Sequence, residues 1–133
     1  MKKILFLASM LLSGSAFALT DHYVLTDGKH VQHLKINTVG KQTTVYADVD
    51  FEPTDSSGDQ HACTADISGE AKYVGENELV LKKQIPSERH FCTLTIKLSP
   101  TGAKIEQSEE CNYFAAGLCH FNTEDKELPK VKQ

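Results

Sequence analysis

Apolar and polar residues alternate with a period of two along most of this chain, the spacing that gives a strand one buried and one wetted face. Over residues 31–37, Gln32, Leu34 and Ile36 fall on one face, while Val31, His33 and Lys35 fall on the other. Over residues 44–51, Val45, Ala47, Val49 and Phe51 point one way and Thr44, Tyr46, Asp48 and Asp50 the other. Cys63, Ala65 and Ile67 then alternate with Thr64, Asp66 and Ser68. Leu79-Val80-Leu81 is a short apolar run closed by Ile85-Pro86-Ser87-Glu88. Cys92, Leu94, Ile96 and Leu98 make the clearest inward stripe, and Ala103, Ile105 and Gln107 predict a last strand. Turn chemistry separates these runs at Val39-Gly40-Lys41-Gln42, Asp55-Ser56-Ser57-Gly58-Asp59, Gly75-Glu76-Asn77 and Ser99-Pro100-Thr101-Gly102. No helical period competes. The pattern predicts an all-β fold, a small antiparallel barrel or sandwich of about six to eight strands.

The two ends read differently from the body. Met1-Lys2-Lys3 is a positive start, residues 4–12 are apolar except for Ser9, and Ala16-Phe17-Ala18 is a small-x-small cleavage site. This layout predicts a secretory signal peptide over residues 1–18. Its apolar stretch is too short to span about 30 Å of hydrocarbon. No cysteine follows the cleavage site to take a lipid, so the mature chain is expected to begin near Leu19 and to be soluble in the periplasm or secreted. One domain is expected over residues 19–122. Residues 123–133 are charged, contain Pro129, and are expected to form a loosely held tail.

Charge narrows the partners. The 133 residues carry 14 Lys and Arg against 18 Asp and Glu, and losing Lys2 and Lys3 with the signal peptide leaves 12 against 18, a net charge of −6. An acidic surface cannot displace counterions from phosphates, which excludes nucleic acid, and nothing in the mature chain predicts membrane insertion. It suits steering toward a basic protein. Four cysteines in an exported chain (Cys63, Cys92, Cys111, Cys119) predict two disulfides. Cys63 and Cys92 sit on strand-like segments with similar apolar flanks, and Cys111 and Cys119 bracket a short loop. The expected pairing is therefore Cys63–Cys92 with Cys111–Cys119. Zinc-type Cys-x-x-Cys spacing is absent.

Among candidate sites, the acidic stripe is the most distinctive. Tyr46, Asp48, Asp50 and Glu52 should project from one face, with Asp55 and Asp59 in the loop beyond, as a patch for a cationic partner anchored by Tyr46. The bland alternative is the solvated face of an amphipathic strand. A calcium loop over Asp48, Asp50, Glu52 and Asp59 departs from the EF-hand pattern, because Pro53 stands where a glycine is required. His22, His30 and His33 are the candidate metal ligands, although an offset of three puts His30 and His33 on opposite faces of a strand. The nucleophile-elbow, zinc-protease and phosphate-loop motifs are all absent. The reading is therefore non-enzymatic, with no cofactor expected.

Ser68-Gly69-Glu70-Ala71-Lys72-Tyr73 resembles the Ser-Gly-x-x-Tyr motif of the small periplasmic lysozyme inhibitors of Gram-negative bacteria, with the tyrosine one residue late. The chain also lacks tryptophan and a lipid-attachment cysteine. The resemblance covers roughly residues 66–121 and implies a small β-barrel inhibitor, with Ser68 and Tyr73 as the positions that carry over. Together these features predict a protein-binding module, an inhibitor or immunity protein acting on a basic cell-wall hydrolase or toxin. An envelope-associated structural or binding protein, and a periplasmic metal binder using His22, His30 and His33, are the alternatives.

Overall fold

A computed structural model describes residues 18–53 and 61–132. Eight antiparallel strands follow in chain order: β1 (Ala18–Asp27), β2 (His30–Val39), β3 (Gln42–Phe51), β4 (Cys63–Gly75), β5 (Glu78–Gln84), β6 (Phe91–Leu98), β7 (Gly102–Gln107) and β8 (Leu128–Pro129). Each pairs with the next, giving one up-and-down sheet in the order β1 to β8. Its two edges meet where Tyr23 of β1 bridges Lys130 and the Val131 N–H donates to the His22 carbonyl at 2.8 Å. The all-β fold expected from the alternation is thus present, and of barrel and sandwich it takes the form of a nearly closed barrel-like sheet. The single helical turn among the described residues is a 3-10 helix, η1 (Glu109–Tyr113). None of their helices is long and apolar enough to cross a membrane.

The inward faces are those the period of two selects. Leu34 and Ile36 of β2, the odd-numbered residues 45–51 of β3, Leu79 and Leu81 of β5, and Cys92, Leu94 and Ile96 of β6 are buried in one core. Burying each such aliphatic side chain contributes about 1.5–3 kcal/mol. Gln32 shares this face and is 6% exposed, with its amide donating to the carbonyls of Phe121 (3.2 Å) and Asn122 (3.3 Å). The turn expected at Gly40 is a tight hairpin with Gly40 at φ +62°, which a side chain would strain.

Strand β1 has no counterpart in the sequence reading. Its core contribution is confined to Tyr23 and a half-buried Leu25, too few inward positions to show a period. Strand β4 is unusually long because it serves two neighbours. Residues 63–71 pair with β3 and residues 71–75 pair with β5. Where the two pairings hand over, a Cβ on Gly69 would stand 2.9 Å from Leu81 Cδ1, so the small residue lets the strands cross closely.

Two expectations are corrected. The disulfides are Cys63–Cys119 and Cys92–Cys111, with Cα separations of 6.0 and 4.4 Å. Cys63 opens β4 and Cys92 is the second residue of β6, and β5 lies between these two strands. Two strand spacings amount to about 9.6 Å, beyond the reach of a disulfide. The segment after β7 instead runs across one end of the barrel and is stapled once to each strand. The described part of the tail, residues 123–132, is also not loose. Leu128 is fully buried, Ala103 and Gly102 pair with β8, and Thr123 is 3% exposed, its hydroxyl accepting the Ile105 N–H at 3.0 Å. Charge along these residues masked the few inward positions that dock them.

Candidate functional site

On a barrel strand the residues that do not face the core line the outside, and antiparallel register decides which of them become neighbours. Tyr46 of β3 stands opposite Ser68 of β4, Asp48 opposite Asp66, and Asp50 opposite Thr64. On the other side of β3, Lys35 stands opposite Tyr46 and His33 opposite Asp48. One outer patch therefore collects Tyr46, Asp48, Asp50 and Ser68 from the sequence-predicted set, and adds Asp66 and His33. Five of its residues (His33, Tyr46, Asp48, Asp50 and Asp66), together with Thr64, line a shallow depression of about 390 Å³.

Glu52 continues the same parity, but lies just past the end of β3, exposed, with its N–H donating to the Lys29 carbonyl at 3.3 Å. Tyr73 does not join. It sits at the far end of β4 on the inward parity, 52% exposed, close enough for its phenol to act electrostatically on Tyr23. Ser68 and Tyr73 thus leave opposite faces, as an offset of five dictates. Asp55 and Asp59 lie outside the described residues, as does the predicted signal peptide apart from Ala18.

The electrostatics of the patch centre on Asp48. Its charge, followed by partial desolvation and the charge of Asp66, pushes the Tyr46 phenol above its ordinary range. One carboxylate oxygen, Oδ1 of Asp48, is buried and accepts no hydrogen bond among the described residues. Such an oxygen is costly to leave without a partner. Sequence reasoning missed Asp66 and His33 as members, because membership depends on cross-strand register.

The histidines separate into two places. His22 and His33, on the outer faces of β1 and β2, stack at 5.5 Å between ring centroids, with His22 Nε2 and His33 Nδ1 3.3 Å apart. Burial, then the charges of His33 and Lys35, lower the pKa of His22 against an opposing pull from Asp48. His30, on the inward parity of β2, stacks on buried Phe51 at 4.4 Å, and His120 meets the edge of the same ring. The trio His22, His30 and His33 is therefore not assembled, because the offset of three sends His30 to the barrel interior. Among the described residues no three His, Cys, Asp or Glu side chains stand together at metal-holding geometry. All four cysteines are in disulfides, which suits an oxidising compartment and leaves no free thiol. No family model matches the chain, and neither a curated protein nor a solved structure is significantly similar to it.

Proposed function

We propose that this protein is a non-enzymatic binding module that neutralises a basic protein partner, as an inhibitor or immunity protein acting on a cell-wall hydrolase or toxin in the periplasm or outside the cell. The observation that carries the reading is the outer patch of β3 and β4, where Tyr46 and Ser68 flank Asp48, Asp50 and Asp66. An amphipathic aromatic beside several acids offers a buried anchor and a steering field to the same partner. Rigidity supports it as well. The patch rides on paired strands, and Cys63–Cys119 ties the start of β4, so little ordering entropy is lost on binding.

The test is capture from a panel of muramidases and amidases with the chain as bait, followed by kinetics. One stoichiometric basic partner, released by salt, is expected. The triple variant Asp48→Asn, Asp50→Asn, Glu52→Gln should slow association by about tenfold or more at low salt. Tyr46→Ala should act mainly on dissociation. Binding that is unchanged in the triple variant, or the absence of a partner at low salt, would end this reading.

A further inference from the structure

We infer that His22 and His33, with Asp48, form a binding site for a zinc-class divalent cation on the outer face of the barrel. Two nitrogens bound to tetrahedral zinc lie about 3.4 Å apart, since each Zn–N bond is about 2.0–2.1 Å. The facing nitrogens of His22 and His33 already lie 3.3 Å apart. Without an ion, one ring donates its N–H to the lone pair of the other. On binding, the bridging proton moves to the second nitrogen of its own ring. Small ring rotations then turn both lone pairs to a common point, and both imidazoles bind in the neutral form with no net proton released.

Asp48 supplies the second, independent observation. It stands directly opposite His33, and its Oδ1 is buried without a hydrogen-bond partner among the described residues. A cation held by the two rings would satisfy that oxygen, either directly after a side-chain rotation or through a bound water. The three donors do not converge in the observed side-chain conformations. Three adjacent paired strands carry them, and side-chain rotations would have to bring them to one ion. Lys35 opposes a cation here, and Asp66, across from Asp48, favours one. Two imidazoles with a carboxylate, and no available thiolate, select zinc or copper(II) over calcium, which takes oxygen ligands.

The site is tested by adding zinc chloride to the purified protein and following the histidine ring resonances by NMR, with calorimetry for stoichiometry. One zinc per chain is expected at about 0.1 mM metal, shifting the rings of His22 and His33 and raising Tm until chelator is added. His22→Gln and His33→Gln should each weaken binding by about tenfold or more, and Asp48→Asn by a smaller factor. The exposed His90→Gln should leave binding unchanged. The ring shifts in the unsubstituted protein answer the question even where a variant folds poorly. Zinc that leaves both rings unmoved, or binding that survives His22→Gln and His33→Gln, would overturn the inference.

Discussion

Gln32 places two amide donors inside an aliphatic core, and both are used to hold the chain after η1 against the barrel. Replacing it with leucine keeps the shape and removes the donors, leaving the carbonyls of Phe121 and Asn122 without this partner. Gln32→Leu should lose about 1–3 kcal/mol in denaturant unfolding, where a position on the outer face would change little. His22 makes a prediction of a different kind. Its pKa is lowered, first by burial and then by His33 and Lys35, with Asp48 opposing. Protonating it is therefore easier in the unfolded chain. Its contribution to stability is fully present above the ordinary value of 6.5 and is lost as pH falls below it toward the lowered folded value. The His22 ring should titrate by NMR below 6.5 in chelator-treated protein, and a midpoint above that value would contradict the lowering that burial and the neighbouring charges impose.

At the scale of elements, the short strand β8 decides whether the barrel closes. Gly102 lets it approach β7, because a Cβ there would stand 2.3 Å from the Leu128 carbonyl oxygen. Around it, the Thr101 and Ser99 hydroxyls donate to the Glu127 carboxylate at 2.9 and 3.2 Å, and the Lys130 N–H donates to the Thr101 carbonyl at 2.9 Å. Lys126 also pairs with Asp27 and Lys130 with Asp21, exposed pairs of small individual worth. The packing of Leu128 matters more. Leu128→Ala should cost about 2–5 kcal/mol, against almost nothing for a residue on a free tail. Gly102→Ala should cost about 1–3 kcal/mol by pushing β8 away, and faster amide exchange at Lys130 and Val131 would report it.

For the whole molecule, two crosslinks and a net negative charge set the behaviour. Cys63–Cys119 closes a span of 56 residues and Cys92–Cys111 one of 19. In the chain-entropy picture these constrain the unfolded state by about 4 and about 3 kcal/mol. Removing Cys63 and Cys119 together should therefore lower stability more than removing Cys92 and Cys111, as read from equilibrium unfolding. Peptide mapping of the oxidised protein should recover Cys63 linked to Cys119. A Cys63–Cys92 peptide would refute the topology, since it would require β4 and β6 to be adjacent.

The alternation of apolar and polar residues was enough to specify the all-β class, the inward faces of β2, β3, β4, β6 and β7, and the hairpin at Gly40. Side-chain direction in a strand follows from chain position alone, so a local pattern determines it. The same parity put His30 and His33 on opposite faces and separated Ser68 from Tyr73. Tertiary structure decided everything that depends on which segments meet. It joined Cys63 to Cys119, seated Leu128 in the core, set Asp66 beside Asp48, and brought His22 of β1 against His33 of β2. These outcomes are matters of register and barrel closure, fixed by how distant strands bury their shared core, and no stretch of neighbouring residues encodes them by itself.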